Sequence, residues 1–157
     1  MTEEYILNNV RENYTRALSK KIYLDNLSGL NVALNPSILS SICLYNIRTS
    51  VFDLKTKCNH LFLYSCNGVT IKVDDCVSGI TCMNCLNCNL LFKRTPDYNV
   101  EISNSYNIDL VSMFFSMPLV FNSVKINIVK SVDCVIHEYY TINDGMFGRW
   151  NYNFFNF

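Results

Sequence analysis

The sequence predicts an α+β fold in which N-terminal helices pack on a small antiparallel β unit. Three observations lead there. Apolar residues recur at helical spacing in the first fifty positions. Asn67-Gly68 joins two β-prone runs. Residues 124–143 alternate and are rich in β-branched side chains.

Residues 3–18 read as an amphipathic helix, with Ile6, Leu7, Val10, Tyr14, Ala17 and Leu18 on one stripe. Thr2 caps it, and Glu3 and Glu4 suit its positive end. Residues 24–36 follow as a loop or short strand that turns at Gly29. A second helix is expected to start at Asn35, an N-cap residue, with Pro36 at the first helical position. Its buried face would hold Ile38, Leu39, Ile42, Cys43 and Ile47. Next, residues 61–66 and 69–73 are expected to pair as an antiparallel hairpin, because Asn-Gly tolerates the two positive φ angles of a type I′ turn. Asp74-Asp75 reads as solvated turn, and 94–107 as loop around Pro96. The run 112–121 reads as core, 124–143 as two strands with a turn near Ser131–Asp133, and Asp144-Gly145 as a further turn. The tail "RWNYNFFNF" (149–157) carries five aromatics, which belong either to the core or to an interface. No internal repeat and no long linker stand out. The expectation is one domain over 1–157, with a helical part (1–50), a cysteine-rich hairpin part (57–93) and a β-rich C-terminal part (108–157).

Half of the 157 residues are hydrophobic, enough for a core without staples. Thirteen basic and thirteen acidic side chains cancel, which argues against a protein that coats nucleic acid. Lys55, Lys57, Lys72, Lys93 and Arg94 still flank the cysteines as a candidate phosphate-binding rim. Ala occurs only at Ala17 and Ala33 and Gln is absent, a bias typical of A/T-rich genomes. The N-terminus has no secretory pattern, and no apolar run reaches membrane-spanning length. The expected setting is therefore intracellular and reducing, in the nucleus or cytoplasm of a host cell if the chain is viral. There, clustered cysteines are read as metal ligands before disulfides.

Six of the eight cysteines fall between residues 58 and 88. Cys58-x-His60 precedes the expected hairpin, and Cys82-x2-Cys85-x2-Cys88 follows it. A hairpin brings its outer ends together, so two distant ligand pairs would meet as in a zinc ribbon. The chosen tetrahedral site is Cys58, His60, Cys85 and Cys88, with Cys82 as a competing ligand. Asn89 after "CLNC" suits a knuckle whose backbone N–H groups bond the thiolates. Cys66, Cys76, Cys134 and His137 are further candidates for a second zinc. Disulfides and buried free thiols are the alternatives. No phosphate loop, dinucleotide fingerprint or H-E-x-x-H is present, and no carboxylate or oxyanion signature accompanies the cysteines.

With Cys58-x-His60 followed by Cys85-x2-Cys88, the stretch resembles a degenerate RING-type or zinc-ribbon module. A full cross-brace would need a C-x2-C pair before Cys58, where only Cys43 stands. Together with size and composition, the layout is similar to small RING- or U-box-like proteins of baculovirus-type insect viruses, which are implicated in nucleocapsid assembly. The resemblance implies a non-enzymatic, zinc-binding structural protein. Its partners would be capsid or assembly proteins, in a homo- or hetero-oligomer. A ubiquitin-ligase module and a nucleic-acid-binding zinc ribbon are the alternatives.

Overall fold

Six short stretches share one pattern: Ile22-Tyr23-Leu24-Asp25-Asn26, Ile42-Cys43-Leu44-Tyr45-Asn46, Leu61-Phe62-Leu63-Tyr64-Ser65, Ile80-Thr81-Cys82-Met83-Asn84, Val100-Glu101-Ile102-Ser103-Asn104 and Pro118-Leu119-Val120-Phe121-Asn122. Each is a strand of alternating faces that ends on a residue with positive φ, from 47° to 55°. Asn dominates the last position because its side chain tolerates the left-handed region. Three residues later comes a second left-handed residue: Gly29, Thr49, Gly68, Asn87, Asn107 or Lys125. The pair swings the chain out of one sheet and into another. The corner then recurs one coil later, 18 to 20 residues along.

The computed structural model describes residues 21–112, 118–132 and 135–144. Its coils are β1 (Lys21–Asp25) with β2 (Asn31–Leu34), β3 (Ser41–Tyr45) with β4 (Arg48–Leu54), and β5 (Cys58–Tyr64) with β6 (Asn67–Val73). They continue as β7 (Cys76–Met83) with β8 (Leu86–Phe92), β9 (Val100–Ser103) with β10 (Tyr106–Ser112), and β11 (Leu119–Phe121) with β12 (Val124–Val132). A last strand, β13 (Val135–Ile142), returns antiparallel on β12. The odd strands β1 to β11 stack in order as a six-stranded parallel sheet. The even strands, with β13 at the end, form a seven-stranded sheet. The architecture is a parallel β-solenoid, one turn of chain per coil.

The α+β expectation is therefore overturned: the described residues form strands and no helix. The helix expected from Asn35 is a turn at residues 38–39 followed by β3. Ile38 and Leu39, assigned to its buried face, are 57% and 56% exposed. The hairpin at Asn67-Gly68 is absent because the positive φ angles fall on Ser65 and Gly68, three apart, instead of on two adjacent residues. That spacing makes a corner, so β5 and β6 lie in different sheets and each pairs in parallel with the next coil. A repeat, unseen in the residue identities, organises the chain. The two strands expected over 124–143 are present as β12 and β13. The helix expected at 3–18 and the tail 149–157 lie outside the described residues.

The core is the space between the two sheets. Leu24, Leu44, Leu63, Cys82 and Ile102 form one inward column on the first sheet; Phe52, Ile71, Leu90, Leu110 and Ile128 lie on the second. Each fully buried aliphatic side chain contributes roughly 1.5–3 kcal/mol.

The corners set a test. Replacing Asn104 by Val forces a β-branched residue to φ near 48° and is expected to cost about 1–2 kcal/mol, whereas Gly at the same place is nearly neutral. Thr49 already carries that strain at φ 47°, so Thr49→Gly is expected to stabilise by up to about 1 kcal/mol. Urea unfolding of the three variants measures both signs.

Candidate functional site

The corner dictates where cysteines go. Residues 82, 85 and 88 all face inward: the first is next to last in β7, the second follows the first left-handed residue, and the third follows the second. The same i, i+3, i+6 positions hold Leu24, Leu27 and Leu30 in the first coil and Ile102, Ser105 and Ile108 in the fifth. The C-x2-C-x2-C spacing is thus the inward period of a corner.

The thiols there bond backbone. Cys85 Sγ donates to the carbonyls of Met83 and Leu63, each at 3.4 Å. Cys66 Sγ donates to Leu44 O and Tyr64 O, and Cys88 Sγ to Leu86 O and Cys66 O. Ser105 and Ser123 do the same at matching corners, donating to Ser103 O and Phe121 O at 2.8 Å. Their Oγ atoms also accept from the previous coil, from Cys85 N and Ser105 N. Cys82 is fully buried beside Leu63 and Ile102, and desolvation holds its thiol well above the usual range.

The five expected zinc ligands do not meet. Cys58 and Cys76 lie at the starts of β5 and β7, whereas Cys82, Cys85 and Cys88 lie at or beyond the far end of β7. An eight-residue strand separates the two groups by about 20 Å. His60 lies on the outer face of the sheet, on the opposite side from its inward-facing neighbour Leu61. Among the described residues, no group of three or more His, Cys, Asp and Glu could hold a metal ion. Cys58, His60, Cys82, Cys85 and Cys88 therefore do not form the single tetrahedral site expected of them, and the hairpin on which that site was to be built is a corner between two sheets. Cys134 lies outside the described residues, as does the side chain of His137.

The basic rim is largely matched by acid. Lys93 and Lys55 both pair with Asp53, at 2.6 and 2.7 Å, Lys57 pairs with Asp75 and Arg94 with Asp74. The hydrogen bonds from Lys55 and Lys93 hold the Asp53 carboxyl at about 2.

Apolar side chains face solvent instead on the outside of the six-stranded sheet. Register places Tyr23, Cys43, Phe62, Thr81, Glu101 and Leu119 in one outer column. The next column holds Asp25, Tyr45, Tyr64, Met83, Ser103 and Phe121. Tyr23 and Tyr45 are each 44% exposed, Leu119 46% and Phe121 50%. Along β5, His60 stacks on Phe62 with ring centroids 4.2 Å apart, and Phe62 stacks on Tyr64 at 5.9 Å. Sequence reading missed this surface. Its signal was present in the outward residues of the repeated strands, legible only once the repeat is known.

No family model and no curated protein matches the chain. Among solved structures it is similar to the cyclase-associated protein of Cryptosporidium parvum, with a TM-score of 0.69 at 16% identity over 80% of this chain and 80% of that one. At that identity the likeness shows the fold, a β-solenoid, and corrects the α+β expectation independently. No helix among the described residues is long and apolar enough to cross a membrane.

Two predictions follow from this geometry. Cys85→Ser places a hydroxyl where Ser105 and Ser123 already serve the same corner, so it is expected to cost under about 1 kcal/mol. Cys82→Ser buries a hydroxyl among aliphatic neighbours and is expected to cost about 1–3 kcal/mol. Urea midpoints of the two variants separate a corner role from a shared ligand role, which would make both equally damaging.

His60 supplies a pH signature. Burial lowers its pKa, against a smaller opposite pull from Glu101, while its Nε2 lies 2.9 Å from Thr81 Oγ1. The folded state thus disfavours the imidazolium, and the unfolded chain takes up more protons as pH falls through about 6.5. Stability from this group is full above that value and declines below it. Melting curves of wild type and His60→Gln between pH 7.5 and 5.5 are expected to converge in the acid direction.

Proposed function

We propose that this chain is a protein-binding solenoid whose docking surface is the outer face of the six-stranded sheet. The observation that carries the reading is the pair of outer columns that align Tyr23, Tyr45, Phe62 and Tyr64 across adjacent strands. Tyrosine and phenylalanine bring large contact area at low side-chain entropy, and such anchors dominate binding energy at interfaces. A hydrogen-bonded parallel sheet presents them already fixed, so little ordering cost falls on association. The reading is of a binding protein rather than an enzyme, supported by buried thiols that are spent on backbone carbonyls. The assembly role expected from the sequence is one instance of it, with a capsid or assembly protein as the partner.

The other sheet favours this choice of face. Its outer polar groups bond each other: Asn89 donates to Thr70 Oγ1, Asn127 to Asp109 Oδ1 at 2.6 Å, and Thr141 to Asn127 Oδ1.

The test is crosslinking mass spectrometry in the native cell with wild type, Tyr45→Ser/Tyr64→Ser and Leu39→Ser. The double variant is expected to keep its melting temperature and weaken partner capture about tenfold or more, as loss of two anchors implies. Leu39, exposed at a turn outside the aromatic columns, is expected to be silent. An unchanged partner set in the double variant would reject this face as the docking surface.

A further inference from the structure

Cys58 and Cys76 stand apart from the corner thiols. They are directly paired residues on adjacent parallel strands, and their sulfurs lie 3.6 Å apart in hydrogen-bonding contact. Adjacent strands run about 4.8 Å apart, inside the Cα separation that a disulfide spans. The sulfurs need only close from 3.6 Å to about 2.05 Å, by small χ1 rotations. The register already slips between Cys58 and His60, where β7 inserts a bulge at Gly79, so the local backbone departs from the regular ladder. The pair lies at the strand starts beside exposed Lys57 and Val77, but is itself buried, Cys58 at 0% and Cys76 at 2% exposed, so a small oxidant reaches it only through local opening of the strand ends.

We propose that Cys58 and Cys76 are an oxidation site, converted by a peroxide into a disulfide that staples the third coil to the fourth. The Cys58 thiolate attacks one oxygen of hydrogen peroxide. The O–O bond breaks, hydroxide leaves and Cys58 becomes a sulfenic acid. The Cys76 sulfur then attacks the Cys58 sulfur, its proton goes to the departing hydroxyl, and water leaves. The two sulfurs together lose two electrons and the peroxide gains them. Either sulfur can donate across the 3.6 Å contact; with Cys76 S–H as donor the bond favours the Cys58 thiolate and, together with burial, holds Cys76 as the thiol, which sets the order of attack. Tyr98, partly buried against the core, opposes the upward shift of Cys76 more weakly.

The corner thiols Cys66, Cys85 and Cys88 are also neighbours, but each directs its sulfur at two backbone carbonyls, which Cys58 and Cys76 do not. The experiment treats the folded full chain with hydrogen peroxide. Free thiols are counted, and tryptic peptides are mapped with fragmentation. Cleavage after Lys57, Lys72 and Lys93 puts Cys58 and Cys76 on different peptides. The expected result is a Cys58–Cys76 crosslink, with the mass of two hydrogens lost and a melting temperature raised by several degrees, reversed by a phosphine reductant. Cys58→Ser and Cys76→Ser are each expected to abolish both the link and the shift. A crosslink to any other cysteine, an oxygen adduct left on Cys58 without a link, or thiols that stay free would each overturn the proposal.

Discussion

The left-handed corner is the constraint on which the rest of the structure depends. Two residues with positive φ, three positions apart, turn the chain from one sheet into the next in all six coils. Because the corners stack at strand spacing, each coil's N–H and C=O groups find partners in the coils beside it. Corner backbone joins this ladder directly: Asn46 N donates to Tyr64 O, Ser65 N to Met83 O, Asn84 N to Ser103 O and Asn104 N to Phe121 O. Where side chains at the corner are polar they stack too, with Asn107 donating to Asn87 Oδ1 and Asn127 to Asn107 Oδ1.

A turn of this kind also sends backbone carbonyls into an otherwise apolar interior. Burying an acceptor there without a partner costs about 1–3 kcal/mol. The inward corner positions therefore favour a small side chain with one donor hydrogen. Ser50, Ser105 and Ser123 meet this need with hydroxyls, Cys66, Cys85 and Cys88 with thiols. Thiol and hydroxyl are alternatives here because the site asks for a short donor and tolerates either radius. The cysteine richness of residues 58–88 follows from packing, and no shared ligand is required to explain it.

The sequence made strands legible wherever one face was buried and the other wet, as in β12, because the period-two alternation is then visible in side-chain chemistry. It misled where one residue type serves several conformations. Asn35-Pro36 carries helix-start chemistry, yet the chain turns there: Ser40 N donates to Ser37 O, and Thr56 Oγ1 donates to Pro36 O. Ile42, Cys43 and Ile47 fitted a helical stripe only because a strand and a corner place inward residues at uneven steps. Asn67-Gly68 satisfied a hairpin rule on identity alone, although Asn67 has ordinary φ and Ser65 carries the positive one. The repeat escaped notice for a related reason. What recurs is a conformation, met by Asn, Ser, Gly, Thr and Lys in turn, and not a residue.

The same periodicity decides which surface is left for a partner. In a solenoid every outward position becomes a column, so one unsatisfied residue type propagates into a stripe. On the seven-stranded sheet one outer column, Asn31, Val51, Thr70, Asn89, Asp109 and Asn127, is mostly polar and bonds within itself, whereas the next, Ala33, Asp53, Lys72, Leu91, Val111 and Val129, is mixed but carries no aromatic ring. On the six-stranded sheet, among the described residues, the aromatic columns meet one another through ring stacking along β5. Their upper atoms stay in water at the hydrophobic cost of every exposed apolar surface, about 25 cal/mol per Å². Covering that stripe recovers the cost without any change in the coils beneath, because the ladder already fixes each side chain's position. On the proposed reading such a scaffold is directional: the rigid aromatic columns would take the partner, and the column of mutually bonded polar groups on the other sheet would stay in water.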